Sequence, residues 1–178
     1  MGGEATDEEL MRAVAGGDPG AFDTLCRRWE RPLHAFLARA GAGRDVDDLY
    51  QDTWLRVVRA APRFDPRKRF STWLFQIALN RCRDWHRRPP PTPVDPASLA
   101  PHAHGRDTSA ATEAGLDARR LLATLPAAQR EVVVLRLHHG FGEAETAEIL
   151  GCPPGTVKSR LHYALARLLA LAAPGEAP

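Results

Sequence analysis

Lys158, Ser159, Arg160 and His162 fall within little more than one helical turn, just beyond the turn-forming run Gly151-Cys152-Pro153-Pro154-Gly155. Their ammonium, hydroxyl, guanidinium and imidazole groups are the kinds that bond phosphate oxygens and base edges. A helix from about Pro153 to Ala172 would bury a stripe of Val157, Leu161, Ala164, Leu165 and Leu168. That leaves Ser159, His162 and Tyr163 outward, with Lys158 and Arg160 at the flanks. Its first turn, which includes Thr156, offers free backbone N–H groups suited to a phosphate. With the short stretch Glu143 to Leu150 before the turn, this is a helix-turn-helix pattern, in which the second helix enters a major groove. Two helices about a glycine turn also make a plain helical hairpin, and this pattern alone does not separate the two.

A second constellation lies on the stretch Phe70 to Arg88. Phe70, Trp73, Leu74, Ile77 and Ala78 recur at core spacing, while Gln76, Asn80, Arg83 and Arg87, spaced four, three and four, share the other side. Amide and cationic groups beside the loop residues Arg67, Lys68 and Arg69 suit a single nucleic-acid strand, which needs charge along its backbone and surfaces for its bases. They equally suit a solvated helix, and both readings stand. A third set, Asp48, Gln51, Asp52 and Leu55, shares one helical face opposite Val46, Leu49, Tyr50, Val57 and Ala60, so that a leucine sits within a polar surface fit for a partner.

The elements that must hold these groups are helical throughout. Thr6 with Glu9 is a capping box, Asp18-Pro19 starts a helix that ends near Gly41, and Asp45 with Asp48 opens the next. A turn over 62–69 leads to the helix that ends before Pro89. Further helices are expected over 111–124, 126–139 and 143–150, with Gly140 and Gly151 as stops, and no period-two alternation competes. The proline-rich run from Pro89 cannot hold a helix and reads as an extended linker. The expected architecture is all-α, with helical domains over 1–88 and 111–173 joined by residues 89–110.

A chain of 178 residues with 44% hydrophobic residues can bury one core or two small ones. Net charge is only +2, but it is sorted along the chain: four acids and no base over 45–52, then eight Lys or Arg against two acids over 63–88. The acidic N-terminus lacks a leader pattern and the apolar run Leu168 to Ala173 is too short to span a bilayer, so a cytoplasmic protein is expected. Cys26, Cys82 and Cys152 lack paired spacing and are expected to be buried or inert thiols.

The joint order of these segments resembles the extracytoplasmic-function sigma factors of the sigma-70 family. It rests on Asp48-Leu49-Tyr50-Gln51-Asp52-Thr53-Trp54-Leu55-Arg56, Arg63-Phe64-Asp65 and Phe70 to Arg88, then Leu125-Pro126 to Leu137, Ala147 to Gly151 and Gly155 to Leu161. The resemblance implies a region-two domain that binds the clamp coiled coil of core RNA polymerase and opens the minus-ten element. It implies a region-four domain that reads the minus-thirty-five element and contacts the polymerase flap. By it, Asp48, Gln51, Asp52 and Leu55 meet polymerase, and Phe64, Arg67, Lys68, Arg69 and Ser71 lie on the loop that captures a flipped base, beside Gln76, Asn80, Arg83 and Arg87. Thr156, Lys158, Ser159, Arg160, His162 and Tyr163 fall on the recognition helix, and an anti-sigma factor is the implied regulator. Tyr163 stands where many relatives carry arginine, Gly142 replaces a Ser-like cap, and Thr146 replaces an aliphatic residue.

Other classes fit less of the chain. A free-standing helix-turn-helix repressor leaves 45–88 without a purpose and needs dimer symmetry. A hydrolase needs a phosphate-cradling glycine loop, His-Glu-x-x-His or Gly-x-Ser-x-Gly, none of which occurs. The pairs His102/His104 and His138/His139 lack companion acids or cysteines at ligand spacing, so no metal or other cofactor is expected.

Overall fold

The computed structural model describes residues 4–40, 45–87 and 113–172, and its α-helices are α1 (Asp7–Ala15), α2 (Pro19–Ala40), α3 (Val46–Ala60), α4 (Phe70–His86), α5 (Glu113–Ala123), α6 (Ala127–Val133), α7 (Glu143–Leu150) and α8 (Pro154–Ala172). There is no strand among the described residues. The all-α expectation holds, whereas the proline-rich run and its histidines lie outside the described residues.

Local chemistry sets most boundaries. Thr6 Oγ1 accepts from the Glu9 N–H at 3.2 Å and the Glu9 carboxylate accepts from the Thr6 N–H at 2.8 Å. These bonds satisfy two orphan donors of α1. Asp18 Oδ1 accepts from Gly20 and Ala21 in the same way at the start of α2. Asp45 precedes α3 as expected but makes no side-chain cap bond. The N-terminus of α4 is capped from outside: Glu8 of α1 accepts from the Phe70 N–H at 2.8 Å. Asp7 ties α1 to α2 through Arg28 Nη1 at 2.9 Å and Trp29 Nε1 at 3.0 Å. A short 3-10 turn, Ala61–Arg63, leads out of α3.

The stretch expected as one helix over 126–139 is instead α6 continued by a π turn, Val134–His138, in which the His139 N–H donates to the Val134 carbonyl at 3.1 Å. Glu131 to Leu135 are all buried. Five consecutive buried residues exceed what one face of a regular α-helix can cover, and the wider turn lets the run stay inside. At the end of α7, Gly151 takes the left-handed conformation with φ +67°, and the bonds Gly151 N–H to Glu148 O and Cys152 N–H to Ala147 O form a Schellman stop.

Both halves of the chain share one core, which the sequence reading did not anticipate. Phe36 and Phe75 of the first half meet His139 and Phe141 of the second, with Phe75 centroids 4.8 Å and 5.0 Å from the two latter rings. α4 packs against α7 and is buried on more than the expected face: Phe75, Leu79 and Cys82 are inside along with Phe70, Leu74 and Ala78. A smaller cluster of Leu125, Val133 and Ala164 holds α8 on α6.

Candidate nucleic-acid and partner interfaces

α8 presents the expected outward groups. Lys158, Ser159, His162 and Tyr163 are exposed, Thr156 and Arg160 are half-buried, and Val157 and Ala164 anchor the helix inside. Ser159 Oγ donates to the Thr156 carbonyl at 3.1 Å, a local bond that a base or phosphate can replace. One core assignment fails: Leu165 is 37% exposed. The seam against α6 and α7 is narrow, and Val157, Leu161, Ala164 and Leu168 at spacings of four, three and four fill it. Gly142 supplies no side-chain oxygen, so the cap of α7 is one-sided, with Glu145 accepting from the Gly142 N–H at 2.7 Å. Thr146 is fully buried, and its hydroxyl has no hydrogen-bond partner among the described residues.

The cationic loop and α4 stripe come together, yet most of their charges are already engaged. Arg67 folds back on Asp65, with Nε–Oδ1 3.0 Å and Nη2–Oδ2 2.9 Å, and these bonds hold the Asp65 carboxyl down to about 2. Lys68 pairs with Glu148 at 3.2 Å and Arg69 with Glu145, both acids of α7. The Gly142 N–H and Arg69 hold the Glu145 carboxyl below its ordinary range. Arg83 grips Glu131 of α6 in two-pronged fashion, Nε–Oε1 3.1 Å and Nη2–Oε2 2.7 Å, and Arg87 pairs with Asp84. Asn80 is exposed, and Gln76 and Ser71 are half-buried. Phe64 is half-buried against Trp73 and Phe70, centroids 5.0 Å and 6.1 Å away, and so anchors the loop from below.

On α3, Asp48 and Gln51 are exposed and Leu55 is 54% exposed. Asp52 differs: its carboxylate pairs with Arg81, whose side chain is only 5% exposed and also reaches Asp84 at 3.2 Å. Arg81 was missed by the sequence reading, since nothing in its spacing marks a buried cation. Also missed was Val58, 44% exposed beside Leu55; with Phe22, Tyr50 and Trp54 the two line an apolar cavity of about 620 Å³. The signal was present in the i, i+3 spacing of Leu55 and Val58.

Burial raises the Cys26 and Cys82 thiols to about 12, so these cysteines are poor nucleophiles at neutral pH, and all three cysteines are free. His139 lies among Phe36, Phe75 and Phe141, where burial first, then the charges of His138 and Arg39, push its imidazole down to about 3. No group of three or more His, Cys, Asp or Glu that could hold a metal occurs among the described residues, and no described helix is long and apolar enough to cross a membrane.

This geometry defines a helix-turn-helix DNA-binding protein with a second cationic surface on a helical bundle. The family model for Sigma-70 region 2 matches residues 25–89, and that for Sigma-70, region 4 matches residues 116–168. The chain is 40% identical over 171 residues to the ECF RNA polymerase sigma factor SigM of Mycobacterium tuberculosis, covering 94% of this chain and 85% of the relative. It is 29% identical over 177 residues to the ECF RNA polymerase sigma-E factor of Escherichia coli, covering 92% and 93%. Among solved structures, CnrH in complex with the cytosolic domain of CnrY matches with a TM-score of 0.74 and 31% identity, over 93% of this chain and 96% of that one. The sigma factor RpoE in complex with the anti-sigma factor NepR from Bartonella quintana matches with a TM-score of 0.67 and 26% identity, over 85% and 96%. The chain belongs to the extracytoplasmic-function sigma factors of the sigma-70 family, transcription-initiation factors that direct RNA polymerase to promoters.

Proposed function

We propose that this sigma factor divides its work among three surfaces. α3 docks core polymerase through Asp48, Gln51 and Leu55, with Val58 extending the apolar part and Asp52 acting mainly through Arg81. The loop and α4 surface, Phe64, Arg67, Lys68, Arg69, Ser71, Gln76, Asn80, Arg83 and Arg87, takes and opens the minus-ten element. α8 reads the minus-thirty-five element through Thr156, Lys158, Ser159, Arg160, His162 and Tyr163. The functional domains are 1–88 and 111–173, joined by 89–110. The protein works in the cytoplasm as a binding factor, not an enzyme, and an anti-sigma factor controls it, as the complex of RpoE with the anti-sigma factor NepR suggests.

The observation that carries this reading is the pair of exposed apolar side chains on α3, Leu55 and Val58, over an apolar cavity and beside Asp48 and Gln51. Apolar area supplies affinity when a partner covers it, and the acidic rim speeds approach to a basic surface. The test is transcription on candidate promoters with purified core polymerase. Asp48→Lys combined with Leu55→Ala should lose core pull-down while remaining folded, and normal pull-down sinks the α3 assignment. Asn80→Ala should hold core yet fail to open the promoter, and normal thymine reactivity to permanganate in that holoenzyme rules out its role.

A further inference from the structure

α3 carries its charges at opposite ends. Asp47 and Asp48 stand in its first turn, whereas Arg56 and Arg59 lie in its second half and Arg63 follows in the 3-10 turn. These three arginines are exposed, and among the described residues they make no ion pair or side-chain hydrogen bond, unlike the cations of the loop and α4. Asp48 is exposed and equally free. Between the charged ends stand Leu55 and Val58, both exposed, at the mouth of the cavity that Phe22, Tyr50 and Trp54 line. A helix face with an apolar centre, acids at one end and bases at the other is complementary to its own copy turned end for end.

We infer that α3 is a self-association surface, on which a second copy of this chain packs antiparallel about a two-fold axis at Leu55. Such an interface uses one patch twice, so every contact occurs twice. By α-helical rise and rotation, Arg59 lies about 6 Å beyond Leu55 and to one side of it, while Asp52 and Asp48 lie about 4.5 Å and about 10.5 Å before it on that same side. The two-fold axis reverses direction along the helix and keeps the side, so Arg59 of one copy falls between Asp52 and Asp48 of the other. Asp52 is tied to Arg81, which leaves Asp48 as the main partner of Arg59. On the opposite side, Val58 of one copy meets Gln51 of the other at the edge of the apolar cavity, and at the centre Leu55 covers Leu55. Apolar burial holds the pair together and the charges fix its antiparallel direction. The patch is one helix wide and covers less than about 1,200 Å², the range of weak, exchanging complexes. The dimer hides the face assigned above to core polymerase and is the form the factor takes away from it; that consequence rests on the α3 docking reading, whereas the self-association does not.

Sedimentation velocity of the full chain reads the inference directly. Wild type should pass from monomer to dimer as its concentration rises through the micromolar range, and less readily in high salt. Arg59→Glu and Asp48→Arg each set like charges against one another twice and should weaken association at least about tenfold. Both positions are exposed and unpaired, so the fold survives, which far-UV circular dichroism checks. Mixing the two variants in equal amounts brings opposite charges together at both contacts and should restore a dimer, as should placing both changes in one chain. A wild type that stays monomeric throughout the micromolar range overturns the inference. So does a dimer that neither variant weakens, or one that the single variants lose and the mixture does not regain. Pull-down of core polymerase by Asp48→Arg is scored separately. Its loss beside a monomeric wild type removes the dimer and leaves the docking reading standing; its retention beside a charge-rescued dimer removes that reading and leaves the dimer.

Discussion

Asp52 is the acid whose replacement should harm the fold rather than the polymerase contact. Its carboxylate is one of two that neutralise Arg81, a guanidinium whose side chain is 5% exposed and whose Nε has no hydrogen-bond partner among the described residues. Removing one partner of a buried ion pair costs about 3–5 kcal/mol when the remaining charge is left alone. Here Asp84 stays, and Asp52 itself is 35% exposed, so solvent takes up part of the loss. Asp52→Asn keeps an acceptor oxygen and should cost about 1–2 kcal/mol, whereas Asp52→Lys adds a second cation against Arg81 and should cost roughly 3 kcal/mol or more. With a urea slope of about 1–3 kcal/mol per molar, the Asn variant should lower the midpoint by on the order of 0.5–1 M. Asp48→Lys, fully outside this network, should stay within about 0.5 kcal/mol of wild type. Urea unfolding at pH 7, followed by far-UV circular dichroism, compares the three directly. An Asp52→Asn midpoint indistinguishable from wild type would refute the argument that Arg81 depends on this carboxylate. Reversing both Asp48 and Asp52 would therefore mix lost docking with lost fold, which is why Asp48 is better paired with Leu55.

Other perturbations follow from single observations. His139 sits far below its ordinary value when packed, so a state with the halves parted binds a proton first. The packed form should keep its full stability above about pH 6.5 and lose up to about 1.4 kcal/mol per pH unit below it. Urea midpoints at pH 7 and 5.5 should diverge more in wild type than in His139→Asn, and parallel behaviour contradicts the assignment; His138, also lowered by burial, adds in the same direction. Thr146→Val replaces an unpartnered buried hydroxyl with a methyl of the same shape and should raise stability by about 1 kcal/mol, a gain that thermal melting can read. In the recognition helix, Arg160→Ala should weaken all duplexes alike and reduce the salt slope by about one unit, while His162→Ala should cost on the order of 1–3 kcal/mol on the cognate element alone. Titrations of the holoenzyme on matched and substituted promoters separate the two, and wild-type behaviour of both variants on every duplex removes α8 as reader.

What the sequence displays most clearly is whatever depends on near neighbours. Caps at Thr6 and Asp18, the Gly151 stop and the outward face of α8 each follow from residues within one or two turns of each other, so their spacing carries the information. The π turn after α6 escaped because Val132 to Leu135 is an apolar run that α2 covers from across the core. Arg81 escaped for the same reason: a cation at that position is solvated unless another segment covers it, as α3 does when it brings Asp52 to join Asp84 of the same helix.

The same distinction explains why the stripe on α4 was open to two readings. Gln76, Asn80, Arg83 and Arg87 share a side by helical geometry, and geometry of one helix cannot say what lies opposite. Opposite Arg83 lies Glu131, from a segment 48 residues away. A plain solvated face would not recruit an acid that is itself buried, because taking Glu131 out of water is costly unless a cation meets it in good geometry. Arg83 thus acts as the counter-ion of the second half as well as a member of the proposed strand surface. Replacing Arg83 would leave Glu131 a buried carboxylate without its cation. On that argument, the affinity of region two for DNA cannot be altered at Arg83 without also altering how firmly region four packs.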